Sequence, residues 1–216
     1  MAFPSGPPSP TALQFSGLAL RGLQSQPDRI TRWVNTSYKT FANADDPHTG
    51  FQLQQCAFLE LPILAFEGEK RTDPGPDCGD AYVIGQGYEF LLGDCWLLFA
   101  YEILRTFRDT EKFKQFAPEL RGALNQIYRF FALVRMPLAK HEAATMNDTF
   151  HVPIRIINEE LGTAGWRVYD KVAGTMVDVL RRPLADALLA WAEGSQADIA
   201  AISAAGSREM IKIIKA

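Results

Sequence analysis

Histidine and cysteine are scarce in this chain, three of each in 216 residues, and the shortage removes whole classes of chemistry. His48, His141 and His151 form no cluster of zinc-ligand spacing with Cys56, Cys78 and Cys95, so no metal site is expected. An odd number of widely spaced cysteines is also unlike the even, dense set of a secreted disulfide framework. Long apolar runs are missing too. The nearest, Phe90 to Leu104, is broken by Asp94 and Glu102 and falls short of the ~20 residues that a spanning helix needs. No positively charged start leads into an apolar stretch, so no secretory leader is expected and the cytoplasm is the expected compartment. A formal net charge of −3 gives no global pull towards nucleic acid or anionic lipid. Any phosphate-binding surface has to be a local patch.

What the chain does have is apolar periodicity. With 47% hydrophobic residues it can bury a sizeable core. Residues 1–12 hold four prolines and a glycine and are expected as a flexible arm. Residues 13–216 are expected as one helical domain. Leu13 to Leu23 is weakly helical, and Asp28 to Phe41 repeats Ile30, Trp33, Val34, Tyr38 and Phe41 at helical spacing. Phe51 to Phe66 reads as an apolar helix kinked or ended at Pro62. Gly68 to Gly79, with Pro74-Gly75-Pro76, reads as a loop. The strongest helix spans Tyr82 to Arg108, where Leu92, Trp96, Phe99, Ile103 and Phe107 form one stripe that Leu91, Cys95 and Leu104 widen. A second runs from Pro118 to Arg135 on Leu120, Leu124, Ile127, Phe131 and Val134. Pro137 is expected to interrupt it, with Leu138 to Met146 continuing at an angle.

The last third is different. Val152 to Ile157 and Gly165 to Tyr169 are β-prone around Leu161-Gly162-Thr163-Ala164, which predicts a hairpin at about 152–169 that Met176 to Val179 could extend. Pro183 opens a further helix carrying Leu184, Leu188, Leu189 and Trp191. Residues 197–216 read as a short amphipathic tail. The fold class expected is therefore mainly α, a helical bundle with a small β-hairpin in the C-terminal third.

Two fragments carry chemistry. Leu133-Val134-Arg135-Met136-Pro137-Leu138-Ala139-Lys140-His141-Glu142 closes the second strong helix. It resembles the Arg-x(4–6)-His signature of the HEPN superfamily of helical bundles, and the resemblance covers about 82–144. Members include metal-independent ribonucleases and inactive partner modules, so the resemblance implies RNA as substrate, no cofactor and a homodimer. His141 would then be the base that takes a proton from a ribose 2′-hydroxyl, since imidazole titrates near ~6.5. Arg135 would stabilise charge on the phosphate with its fork of donors. Lys140 would add a contact, and Glu102 would orient Arg135 or His141.

The second fragment is Leu92-Gly93-Asp94-Cys95-Trp96-Leu97-Leu98, which resembles the segment around the nucleophile of calpain-type cysteine peptidases. That resemblance implies Cys95 as nucleophile at a helix start, with an upstream glutamine, for which only Gln86 is available. His141, His151 and Asn158 are the downstream candidates for its base and orienting partner, at shorter spacing than that family has. Periodicity gives the opposing reading: Cys95 falls in step with Leu91 and Phe99 and reads as a small buried hydrophobe inside a helix. Arg181-Arg182, before Pro183, reads either as a phosphate contact at a helix start or as a solvated corner. A third overall reading is a non-enzymatic module for a protein partner or for self-association, using the Pro-rich arm, the acidic 68–80 loop and the tail.

Overall fold

A computed structural model describes residues 10–41, 47–68, 79–140, 144–146, 149–151 and 153–194. Three helices come first: α1 (Pro10–Ser25), α2 (Pro27–Phe41) and α3 (Pro47–Gly68). Each opens on a proline, whose fixed φ and missing N–H suit the first helical turn. Helix α1 thus begins inside the stretch expected as an arm, of which residues 1–9 lie outside the described set. Ser25 Oγ donates to the Gly22 carbonyl at 2.8 Å where α1 gives way to α2.

Helix α3 is apolar almost all round because it is covered on several sides, by α1, α2 and α4. Pro62 lies inside it and does not end it. The residue leaves the Phe58 carbonyl without its in-helix donor, yet Pro62 to Ala65 are all buried, and packing holds the helix across the defect. At the α1–α3 crossing Gly22 lies directly on the α3 backbone, so close that a Cβ there would sit 1.9 Å from the Leu61 carbonyl oxygen.

The central pair is α4 (Gly79–Arg108) and α6 (Pro118–Lys140), joined through the short α5 (Glu111–Gln115). Thr110 caps α5 by accepting from the Phe113 amide at 3.3 Å. Trp96, Leu97, Ile103 and Phe107 of α4 meet Leu124, Ile127, Phe131 and Val134 of α6 in the core. The expected break at Pro137 does not occur: α6 runs through it to Lys140. The helical continuation expected to Met146 is replaced by two short paired strands, β1 (Ala144–Met146) and β2 (Thr149–His151).

The expected hairpin is a three-stranded antiparallel sheet, β3 (Ile154–Asn158), β4 (Thr163–Asp170) and β5 (Thr175–Leu180), in the order β3-β4-β5. Its two turns hold Gly162 and Gly174 at φ of 59° and 67°, a left-handed conformation that glycine adopts without strain. Trp166, Val168, Val177 and Val179 point from β4 and β5 into the core. Helix α7 (Arg181–Glu193) follows β5 directly and is buried along most of its length, with Trp191 Nε1 donating to the Leu120 carbonyl at 3.0 Å. The observed class is mainly helical with a small sheet near the C-terminus. No helix among the described residues is long and apolar enough to cross a membrane.

Candidate functional site

A locally cationic stretch runs from the end of α4 through α5 along α6. Residues 101–140 carry eight Lys and Arg against four Asp and Glu, or +4, in a chain of −3, so the remaining residues carry −7. Along the exposed seam between α4 and α6 the cations are fixed in place. Arg135 Nη2 donates to Glu102 Oε1 at 3.1 Å, and Arg105 Nε donates to Glu102 Oε2 at 2.7 Å. The Arg135 guanidinium also lies over the Tyr101 ring, 4.9 Å from its centroid. Tyr101 stacks on Tyr128 at 5.1 Å between centroids, and Tyr128 donates to the Tyr101 hydroxyl at 2.7 Å. Arg108 covers the Tyr128 ring at 3.9 Å and donates Nε to Asn125 Oδ1 at 2.8 Å.

These contacts decide which groups can do chemistry. The hydrogen bond from Arg105, reinforced by the charge of Arg135, holds the Glu102 carboxyl below the usual glutamate range. Glu102 is therefore an anion at neutral pH and orients cations rather than delivering protons. Burial, with the hydrogen bond to Tyr101, pushes the Tyr128 phenol up to about 12. Neither group serves as a base near neutral pH. Arg135 keeps one outward group in hand: Nη1 meets only the Met136 sulfur at 3.5 Å, while Nε is buried without an acceptor.

Of the residues singled out in the sequence, Arg135 and Glu102 are brought together. Lys140 ends α6, and its side chain lies outside the described residues, as does His141. Cys95 corrects the periodicity reading. It is exposed, not buried. Leu91, its neighbour one turn away, is 53% exposed, and Phe99 is half-buried. Leu91 and Cys95 therefore lie on the outer face of α4, whereas the stripe they were expected to widen, with Trp96, Ile103 and Phe107, is the buried inner face, which Leu104 does widen. Cys95 also lies sixteen residues after Gly79, where α4 starts, so it does not open a helix as the peptidase resemblance implies. Its neighbour Asp94 is buried and structural, accepting from Trp166 Nε1 at 2.7 Å and Arg155 Nη2 at 2.6 Å. Native-state alkylation followed by peptide mapping should label Cys95 and spare Cys56. Cys56 is fully buried, and desolvation, with the charge of Glu60 nearby, raises its thiol pKa. Labelling of Cys56 before unfolding would contradict this packing.

Sequence reasoning missed the densest polar cluster. Arg181, read as half of a phosphate contact or solvated corner, is fully enclosed. It donates Nη1 to Glu60 Oε1 at 2.5 Å, Nε to Glu67 Oε1 at 2.8 Å and Nη2 to Glu67 Oε2 at 2.5 Å. Arg29 forks onto both Glu60 oxygens at 2.8 Å and pairs with Asp186. Trp33 Nε1 donates to Glu60 at 3.0 Å, and Thr163 and Arg182 donate to Glu67. Burial alone would raise the Glu60 and Glu67 carboxyls, but Arg181, with Arg29 at Glu60 and Arg182 at Glu67, holds both below their ordinary values. The contacts of Arg181 with Glu60 and Glu67 are fully enclosed and those of Asp186 and Arg182 reach the surface, so the cluster joins α2, α3, β4 and α7. One signal was visible: Glu60 and Glu67 are seven residues apart, two turns, on an otherwise apolar helix. Buried carboxylates at such positions demand cationic partners.

Among the described residues no group of three His, Cys, Asp or Glu side chains gathers to hold a metal ion. In comparisons with family models, curated proteins and solved structures, nothing matches this chain.

Proposed function

We propose that the α4–α6 seam is an RNA-phosphate-binding face of a HEPN-like helical domain. The reading rests on Arg135, a guanidinium oriented by Glu102 and Tyr101 whose Nη1 meets only the Met136 sulfur, in a segment of net +4. A fixed fork of donors suits a phosphate, and the prior orientation by Glu102 lowers the ordering cost of binding one. Arg105 and Arg108, one turn apart on α4, extend the same face. In the catalytic form of this reading His141 takes the proton from the ribose 2′-hydroxyl, Arg135 stabilises the phosphate, and Lys140 and Glu102 support them, with no metal in the step. The degenerate form keeps RNA binding without cleavage, and the same face serves both.

Two measurements separate the forms. Purified protein is incubated with mixed RNA in chelator beside His141→Ala, and single-stranded RNA affinity is measured against salt for wild type, Arg135→Gln and Arg135→Lys. Cleavage that disappears in His141→Ala establishes the ribonuclease. Without cleavage, binding whose salt slope is shallower by about 0.7 in Arg135→Gln, the change expected when one fewer phosphate is neutralised, supports the degenerate form. Arg135→Lys keeps the charge and loses the fork, so it should weaken binding more than it changes the slope. Salt-independent affinity, or none, sinks both.

A second reading, a non-catalytic interaction module, is favoured by the outer face of α4. Ile84, Tyr88, Leu91 and Cys95 recur there at helical spacing and are all exposed, Tyr88 at 56%. Contiguous apolar surface of this kind commonly marks a contact with another macromolecule. The homodimer implied by the HEPN resemblance is one such contact, and light scattering at working concentration tests it.

A further inference from the structure

We propose that α1 is a self-association surface, and that its outer stripe of Leu13, Gly17 and Leu20 packs against the same stripe of a second copy of the chain. Helix α1 packs on α3 and α2. Its inner side is marked by Gly22, which lies on the Leu61 backbone. At 3.6 residues per turn, Leu13, Gly17 and Leu20 stand about 140–180° around the helix from Gly22, so they form the opposite face. Leu13 is 57% exposed there and Leu20 56%. A helix that is apolar on both sides is normally covered on both. Gly17 points to a second backbone as the cover. Inside a helix a glycine costs up to about 1 kcal/mol relative to alanine. Gly22 has a reason in the fold, the closeness of α3. Gly17 has none, since a Cβ there would meet nothing within 4 Å among the described residues. A glycine between two exposed leucines is what the close approach of another helix requires.

Residue order and charge select a second copy as the occupant. Across a two-fold axis contacts are reciprocal, so a surface must complement itself. Two antiparallel copies of α1 crossing at Gly17 set Leu13 of each beside Leu20 of the other, because the leucines stand four positions before the glycine and three after it. The pair forms twice, once on each side of the crossing. Arg21 is the one charged residue of α1. In this crossing it lies opposite position 13 of the second copy, about 12 Å along the axis from the other Arg21. No like charges meet, and the stripe itself is uncharged. A lipid surface fits less well. Helices that lie in a membrane interface carry lysine and arginine along a polar face, whereas α1 has a single arginine and its other side is packed on α3. The contact is independent of the α4–α6 seam.

The test follows full-length protein by sedimentation equilibrium from dilute solution up to about 1 mM. A reversible monomer–dimer equilibrium is expected. Leu20→Glu, at an exposed position where the amide spectrum should stay folded, weakens it about tenfold or more, since each copy then sets an unpaired carboxylate against Leu13 of the other. Leu13→Glu does the same. An equimolar mixture of Leu13→Glu and Leu20→Lys should dimerise again, because the antiparallel crossing gives it one glutamate–lysine pair and one leucine pair. Gly17→Ala separates association from folding: it should raise the melting temperature of the dilute monomer and still weaken the dimer. A mass that stays monomeric throughout, as it must if lipid or another part of the chain takes this face, would overturn the proposal. So would a dimer that Leu20→Glu spares and Leu91→Glu, on the outer face of α4, dissolves, or one that the mixture of charged variants fails to restore.

Discussion

Arg181→Met destabilises the protein by about 3–5 kcal/mol, because it strands two carboxylates in a dry interior. That is a large share of the roughly 5–15 kcal/mol typical of a folded domain. Methionine fills much of the volume, so lost packing contributes little and the loss is electrostatic. Glu60 keeps Arg29 and Trp33, and Glu67 keeps Arg182 and Thr163, but each loses its most enclosed partner. A triple replacement, Glu60→Leu with Glu67→Met and Arg181→Met, should cost much less than the single one, since apolar residues of similar size can stand in for a whole buried ionic cluster. The pH dependence has a definite sign. In the wild type both carboxyls are held below the ordinary glutamate value of about 4.3. The unfolded chain therefore binds protons first as the solution is acidified. The contribution of the cluster is complete above that value and is lost as pH falls through the folded ones. In Arg181→Met the carboxyls lose that protection, so the gap between variant and wild type is widest at neutral pH and narrows on acidification. Urea titrations of both proteins from pH 7 down to about 4 measure the gap; a constant one would mean that the cluster acts through shape alone.

Gly22→Ala sets two effects of opposite sign against each other. Helix propensity favours alanine over glycine by up to about 1 kcal/mol at an interior position. Packing opposes it, since the new Cβ would lie 1.9 Å from the Leu61 carbonyl oxygen and 2.7 Å from its carbon. Both contacts are backbone, so no side chain can rotate away, and α1 has to retreat from α3 along the whole crossing. Overpacking of this kind costs typically about 1–3 kcal/mol. The clash wins, and the melting temperature falls. Gly17→Ala is the matched control on the same helix, with nothing within 4 Å of its Cβ. It should stabilise by roughly 0.5–1 kcal/mol through propensity alone. If both alanines stabilise, α1 does not lie against α3 at this distance.

What the sequence revealed follows from what periodicity measures. The stripes of α4 and α6 were legible because Trp96, Ile103, Phe107, Leu124, Phe131 and Val134 recur at helical spacing and all face one core. The β-prone runs were legible from branched residues and turn glycines, although β1 and β2 were not, because three-residue strands carry no period. Proline misled at Pro137, and at Pro62 only the ending of the helix is ruled out. Pro62 and Pro137 signal a local hydrogen-bond defect, and whether a helix ends there depends on packing that lies elsewhere in the chain. Cys95 misled in another way. Helix α4 is apolar over both faces of its first half, so a residue in step with leucines is not thereby on the buried side. In the candidate site, the nearness of Glu102 to Arg135 spans 33 positions, a separation at which pattern gives no guidance. The Arg181 cluster lay furthest from view. Two adjacent arginines look alike whether they meet water or two glutamates more than a hundred residues upstream.

That separation has a consequence for the protein during its own synthesis. Arg181 follows Glu67 by 114 residues. At about 5–20 residues per second the ribosome delivers it some 6–23 s after Glu67 has been made. Until then α3 carries two carboxylates on a helix whose every other demand is to be dehydrated. A nascent chain can gather α1 to α4 loosely, with Glu60 paired to Arg29 and Trp33, but Glu67 stays hydrated until Thr163, Arg181 and Arg182 arrive, and closure around it waits for α7. Chains cut short before Arg181 should therefore remain open and sensitive to protease along α3, and the emergence of α7 acts as the signal that the helices before it can close.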